Sequence, residues 1–348
     1  MTFGLSNSSV QAQCPADVNH DQQVNATDLA SVLSAWGTNG STTGTDINND
    51  GLVNGSDLTF VFSGWGPCPG PTWATVLEWT PDPAVVTNVT LRNSITASGL
   101  PWRVRDNSSN IEMLLVPGGT FTMGCSASTQ YGCISYESPT HQVTLTNAFY
   151  MGRYEVTQAQ WTAKMVSNPS QFQGASYPDA ASRPVERVSW NMIASGSTSF
   201  MSLTNLRLPT EAEWEYAYRA GTTTAFHSYV LSPTEGQPNG FNDDILLGNI
   251  AWFNSNSQSQ THAVGGKLAN GLGLHDMAGN VFEWCQDWYG LYSSASVTNP
   301  TGPATGSIRL VRGGSLYDVS NLSRASLRTA GQPVSLYNNA GFRVVRNP

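Results

Sequence analysis

Residues 207–222 read RLPTEAEWEYAYRAGT, and this stretch organises the larger part of the chain. Thr210 followed three positions later by Glu213 is a capping box that starts a helix. Trp214, Ala217 and Tyr218 then fall on one apolar stripe, and Gly221 supplies the stop. Outward from this helix the periods are short. Two segments, 111–124 and 141–157, alternate as strands, with Val143 and Leu145 on one face. Thr157 opens a second helix carrying Trp161 and Met165 at i, i+4. The segment 80–98, ending at Gly99, reads as a short helix, and Trp102 to Arg105 as a strand. Beyond 222 there is mostly Gly, Asn and aromatic residues until a terminal strand at Gly341–Val345.

The 348 residues are enough for one core domain and an appendage. The net charge of −8, with only 11% charged residues, excludes a basic nucleic-acid binder. No run of 18 apolar residues occurs, so no membrane span is expected. Residues 1–70 hold six aspartates, no glutamate and no lysine or arginine, so most of the charge excess sits there. Such a step marks a domain boundary. The chain divides into 1–13, 14–68, a linker at 69–79 and 80–348, with the Pro/Gly-rich run PCPGPT at 67–72 spanning the first boundary. Residues 1–13 lack the basic and apolar regions of a leader. Val10-Gln11-Ala12 nevertheless has the small residues of a cleavage site, which suggests a truncated signal peptide and a secreted or cell-surface protein. A disordered tip is the equal alternative.

A repeat with a period of 29 lies inside the acidic segment. DVNHDQQVNATD at 17–28 matches DINNDGLVNGSD at 46–57, and LASVLSAWG matches LTFVFSGWG. Twelve-residue EF-hand loops take oxygen ligands at positions 1, 3, 5, 7, 9 and 12. The first copy offers Asp17, Asn19, Asp21, the Gln23 carbonyl, Asn25 and Asp28. The second offers Asp46, Asn48, Asp50, the Leu52 carbonyl, Asn54 and Asp57. Every aspartate in the segment falls on a ligand position, so two Ca²⁺ ions are expected. Gln22 stands where glycine is usual, and both loops end in Asp rather than Glu. The half-EF-hands, each followed by one short apolar helix, resemble dockerin repeats. Leu29, Val32, Leu33 and Trp36 would share a small core with Leu58, Val61, Phe62 and Trp65. The resemblance implies a cohesin-like partner, read by Ala26-Thr27 and Gly55-Ser56 just before position 12. A calcium-stiffened spacer is the other reading.

Five cysteines fit an oxidising compartment better than a zinc site: Cys14 and Cys68 bracket the acidic segment, Cys125 and Cys133 lie eight apart, and Cys285 is left as a buried filler. The five histidines show no metal-binding spacing, and no nucleophile-elbow, phosphate-loop or dinucleotide motif is present.

Seven motifs in one order carry a second resemblance: MLLVPGGTFTMG, FYMGRYEVT, RPVERVSW, RLPTEAEWEYAYRAGT, LGLHDMAGNVFEWCQDWYG, RLVRGGS and GFRVV. Over about 100–346 the chain resembles formylglycine-generating enzymes, the sulfatase-modifying factor family. The resemblance implies an α+β, C-type-lectin-like fold with little regular secondary structure. It also implies oxidation of a sulfatase cysteine by two cysteines that hold copper(I). Here Asp318 and Ser323 occupy those two positions and no cysteine follows Cys285, so neither copper nor the oxidase activity is expected. The family's structural calcium loop is matched by the side chains of Asp276 and Glu283 and the carbonyls of Gly279 and Val281.

In that family the segment after Gly-Gly-Ser lines the substrate groove. Here 316–340 mixes tyrosine, asparagine, serine and leucine, a palette suited to binding. The candidate ligand residues are Leu316, Tyr317, Asp318, Ser320, Asn321, Leu327, Ser335, Tyr337 and Asn338, with Arg324 and Arg328 as framework. The chain is also similar to the variable proteins of diversity-generating retroelements, whose NNY codons cannot encode Lys, Glu, Gln, Met or Trp. Only Gln332 of 316–340 belongs to that set, where composition would place about three. The expected function is a secreted, calcium-stabilised, non-catalytic binder of an unknown protein or glycan ligand, diversified or fixed at its C-terminal face. Two alternatives stand beside it: a formylglycine-generating oxidase, and a dockerin-type subunit of a cell-surface or polysaccharide-degrading assembly.

Overall fold

A computed structural model describes residues 14–19, 21, 23–40, 43–125, 132–227 and 245–348. The expectations for residues 1–13 and for Gln22 lie outside the described residues. The acidic segment folds as β1 (Gln23–Val24), α1 (Ala26–Ser34), α2 (Gly55–Ser63) and β2 (Gly66–Pro67), with β1 and β2 paired antiparallel. Asn25 and Asn54 cap the two helices, and Asp28 and Asp57 return the bond to complete a capping box in each. A Cys14–Cys68 disulfide closes the unit.

Its core differs from the sequence expectation. Val32 and Val61 are fully buried beside Val24, Val53 and Ile47, while Leu29 and Leu58 lean on them. Leu33, Trp36, Phe62 and Trp65 are 50%, 49%, 60% and 51% exposed. A nine-residue helix buries one narrow stripe. The valines occupy it, and the side chain one residue further on turns about 100° away.

The larger part contains β3 (Ala74–Glu78), α3 (Val89–Ala97), β4 (Arg103–Asp106), β5 (Glu112–Val116), β6 (Gly119–Met123), β7 (His141–Leu145), β8 (Phe149–Gly152), α4 (Gln158–Thr162), α5 (Trp190–Ala194), α6 (Phe200–Thr204), α7 (Glu211–Arg219) and α8 (Ile245–Gly248). It continues through β9 (Ala251–Trp252), β10 (Ala278–Gly279), β11 (Phe282–Trp288), β12 (Val297–Thr298), β13 (Arg309–Arg312), β14 (Thr329–Gly331), β15 (Ala340–Gly341) and β16 (Val345–Arg346). The sheets run β16-β8-β5-β4-β3, β12-β7-β6 and β14-β13-β11-β15, with β9 and β10 as a short parallel pair.

Three expectations are corrected here. The linker at 69–79 contains β3, which pairs with β4 as the edge of the five-stranded sheet. The helix at 80–98 is confined to α3, because Pro81 and Pro83 hold the preceding turn out of helix. The terminal strand is split: β15 joins β11 and β16 joins β8, with buried Arg343 between them.

The stretch 207–222 behaves as read. Thr210 and Glu213 cap α7 reciprocally, and Trp214, Ala217 and Tyr218 are fully buried. Glu213 also grips Arg207 with both oxygens at 2.7 Å. The turn out of α7 begins one residue early, at left-handed Ala220 ahead of Gly221. Cys285 is buried in β11 and unpaired, whereas Cys125 and Cys133 form a disulfide.

Buried ion pairs stitch the irregular parts to this frame. Glu215 bridges Arg219 and Arg312, Glu137 holds Arg324, Glu211 holds Arg328 and Glu283 holds Arg343. Losing one partner of such a pair costs about 3–5 kcal/mol, because the other charge is left dry.

Candidate functional site

In the acidic repeat, Asp17, Asp21 and Asp28 bring carboxylate oxygens within 4.8 Å of one another. The backbone sets this up. Asp28 accepts the Val18 and Asn19 N–H groups on Oδ1 and the Asn25 N–H on Oδ2. Asp17 and Asn19 both accept from the Asp21 N–H, and Asp21 accepts from Gln23. The second loop repeats the scheme: Asp57 accepts from Ile47, Asn48 and Asn54, and Asp46 and Asn48 from Asp50. Asn54 donates to the Leu52 carbonyl at 2.9 Å, and Asn25 stands beside the Gln23 carbonyl at 3.5 Å. Convergent carboxylates without a lysine or arginine in the segment fit a hard divalent cation held by oxygen.

The loop at 276–283 is a different case. Asp276, in left-handed backbone, accepts the Gly265 N–H on Oδ2 at 2.6 Å and leaves Oδ1 unpartnered among the described residues. Burial pushes its carboxyl up to about 6. Glu283, expected as a second ligand, is instead the counter-ion of Arg343, meeting Nε and Nη2 at 2.6 Å each and accepting Trp214 Nε1 at 2.7 Å. The loop is braced by Glu155, which accepts from Asn280 Nδ2 and the Val281 N–H. Gly279 donates its N–H to Gly313 and has Trp252 backbone where a Cβ would sit, so it is a packing glycine. Glu283 is thus shared with the frame, and Gly279 and Val281 are held through their N–H groups, so calcium on their carbonyl oxygens stands as a proposal.

The C-terminal face grows from the end of β13. Gly313 and Gly314 take positive φ angles of 98° and 76°, which reverse the chain. Ser315 donates to Asp318 and accepts from Asn339 Nδ2. The Asp318 carbonyl receives the Asn254 N–H at 3.0 Å, and burial raises its carboxyl. Ser323 is buried, with its hydroxyl against Gly314 and unpartnered among the described residues. The two positions that thiols would occupy thus carry hard oxygens, a donor set that does not fit copper(I).

The nine candidate ligand residues divide. Tyr317, Asp318, Asn321, Ser335, Tyr337 and Asn338 reach solvent, while Leu316, Ser320 and Leu327 are buried. Leu316 packs on Phe172 and Val281 and is corrected to core. Ser320 opens a 3₁₀ turn, and Leu327 sits beside the ion-paired Arg324 and Arg328, so both are framework. Neighbours from distant segments complete the face. Asn338 Nδ2 donates to Gln171 Oε1 at 3.1 Å and to the Tyr317 hydroxyl at 3.3 Å. Beneath them Glu186 accepts the Gln171 and Phe172 N–H groups on Oε1, leaves Oε2 unpartnered and is pushed up to about 7 by burial. Val334 and Leu336 add exposed apolar surface. Nothing in the run around Gln171 signals this role; only the fold brings it here.

A family profile described as sulfatase-modifying factor enzyme 1-like domain matches residues 100–348, and one for the dockerin type I domain matches 15–62. The formylglycine-generating enzyme of Streptomyces coelicolor is 36% identical over 167 residues, 46% of this chain and 51% of that protein. The chain therefore spans about half the length of that relative. Treponema denticola variable protein 1 superposes with a TM-score of 0.58 at 30% identity, covering 68% of this chain and 95% of the other. PvdO from Pseudomonas aeruginosa gives a TM-score of 0.56 at 24% identity over 71% of this chain and 98% of PvdO, a likeness of fold alone. The fold is the C-type-lectin-like, formylglycine-generating-enzyme type that the motifs implied, with a small helical dockerin unit ahead of it.

Proposed function

The chain belongs to the sulfatase-modifying factor enzyme 1-like family, and on that premise we propose that it is a secreted, non-catalytic binding protein, stabilised by calcium in its dockerin unit. The observation that carries this reading is the pair Asp318 and Ser323. One carboxylate is tied to Ser315 and one hydroxyl is buried, where the family's oxidase chemistry needs two soft thiolates. Cys285 cannot replace them: it is buried in β11, and burial pushes its thiol well above the usual range. What remains is a face of Tyr317, Tyr337, Asn321, Asn338 and Gln171, amphipathic rings among adaptable amides, for a protein or glycan ligand. The likeness to a variable protein supports a face open to diversification.

The decisive assay incubates the protein with copper and a Cys-x-Pro-x-Arg peptide and follows the peptide by mass spectrometry. An unchanged cysteine is expected; conversion to formylglycine overturns the binder in favour of an oxidase. Deep sequencing of codons 316–340 in the source population tests diversification: variation confined to NNY codons supports it, and a constant segment means a fixed face.

The dockerin match supports a second role, attachment to a cohesin-type partner in a surface assembly. Joint Asp17→Ala and Asp46→Ala substitution is expected to abolish attachment. Retention at the wild-type level would remove this role.

A further inference from the structure

The Glu283 end of β11 lies under the C-terminal face, through β15 and the Leu316–Asn280 bond. The other end, at Asp287, opens into a cavity of about 250 Å³ between β11 and the 290–303 segment. Asp287 is only 4% exposed. Its Oδ2 accepts the Glu211 N–H at 2.9 Å, whereas Oδ1 takes no hydrogen bond among the described residues and no cation lies within ion-pair distance. Gly302, at a φ of 70°, lets the chain pass the carboxylate; a Cβ there would come within 3.0 Å of Oδ1.

Every other charge at this cavity is matched. Arg328 holds Glu211 through Nε and Nη2 at 2.6 and 2.9 Å and donates Nη1 to the Tyr136 carbonyl. The Tyr292 hydroxyl donates to Glu211 at 3.1 Å. Among the described residues the arginine at this cavity is committed to Glu211, His141 is engaged through Nδ1 with the Pro139 carbonyl, and Asp287 Oδ1 is the carboxylate oxygen left without a hydrogen bond. Leu291, Val297, Pro300 and Pro303 give the wall an apolar side, with His141 and Ser293 as its further polar residues. The volume is below that of ordinary drug-sized pockets and suits a group the size of one side chain.

We propose that this cavity binds a small organic cation, an alkylguanidinium or alkylammonium, whose head pairs with Asp287 Oδ1 and whose stem lies along Leu291, Pro300 and Pro303. A neutral hydroxyl would gain one hydrogen bond there. A cation gains a charge-assisted bond and places a positive charge in direct contact with the carboxylate, which Arg328 and Arg309 reach only from beyond ion-pair distance. The site does not rest on the C-terminal face or on the dockerin unit.

The test titrates the full chain with n-butylguanidinium and with its uncharged isostere n-butylurea, followed by calorimetry. Wild-type protein is expected to bind the cation at least about tenfold more tightly, the margin of a hydrogen bond to a charged group. Asp287→Asn should remove that preference while keeping the bond from Glu211 N–H, and a thermal melt checks that the variant folds. If it does not fold, the wild-type comparison of the two probes still decides. Equal binding of both probes, binding of neither, or a preference that survives Asp287→Asn overturns the proposal. Where the cation binds, a Gly-Gly-Arg-Gly-Gly peptide separates the two sources: binding as tight as that of n-butylguanidinium assigns the cation to a polypeptide side chain, and exclusion of the peptide assigns it to a free small molecule.

Discussion

Glu186 shows what a buried carboxylate does when half of it is satisfied. Two backbone N–H groups hold Oε1, Oε2 has no partner among the described residues, and burial moves the group from 4.5 to about 7. The unfolded chain titrates near 4.5, so below that pH both states are protonated and no penalty exists. Between 4.5 and 7 the unfolded state ionises first, and stability falls as pH rises. Above 7 the full cost is present, at most about 3 kcal/mol by linkage. Glu186→Gln is therefore expected to match wild type at pH 4, to exceed it at pH 8 and to flatten the decline between. Urea unfolding at the two pH values measures this; a parallel decline in both proteins refutes it. If the group serves the face above it, the stabilised variant will bind less well, the usual exchange between stability and function. At this scale the sequence was only partly legible. Arg324 and Arg328 were read as framework and are ion-paired. Leu316, Ser320 and Leu327 were read as surface because an irregular segment has no period to say which side chain faces the core.

Elements with a local signature were readable. Thr210 and Glu213 announce α7, because a capping box is written within four residues, and the short apolar run after each acidic loop announces α1 and α2. Removing the Thr210 cap should cost about 1 kcal/mol. Thr210→Ala also withdraws one of the bonds that orient Glu213, whose other partners are the Thr210 N–H and Arg207. Chemical denaturation of this variant and of Arg207→Ala checks whether the two losses add. Sub-additive losses are expected, since both act through Glu213; strictly additive ones would mean the cap and the ion pair work independently. Strands were less legible than caps. The segment 111–124 reads as one strand, but Pro117 has no N–H to give a ladder and divides it into β5 and β6. The terminal run 341–345 reads as one strand too. Its two halves serve different sheets because buried Arg343 must reach Glu283 from between them.

For the whole molecule, the described residues bury a large core and a small one built around Val24, Val32, Val53 and Val61, while the sequence offers only a step in acidic charge at residue 70. It could not reveal that β3, inside the apparent linker, belongs to the large unit. An edge strand of five residues carries no composition signal of its own. Trp79 follows it and joins the two units: its carbonyl accepts the Trp102 N–H of the large unit, while its side chain packs on the small core. That geometry separates their stabilities. The small unit buries too little apolar surface to stand alone and relies on its disulfide and, on the proposed reading, on calcium. Scanning calorimetry is expected to show two transitions. Chelation should lower the first by about 10 °C or more, since a ligand at 100 times its dissociation constant contributes about 2.7 kcal/mol to so small a unit. The second transition should stay in place. Trp79→Ala should lower the first transition again, by uncovering the small core, while its backbone bond to Trp102 keeps the large unit intact. A single transition that moves as a whole under chelation would mean instead that the two cores melt as one body, with Trp79 as a structural beam rather than a lid.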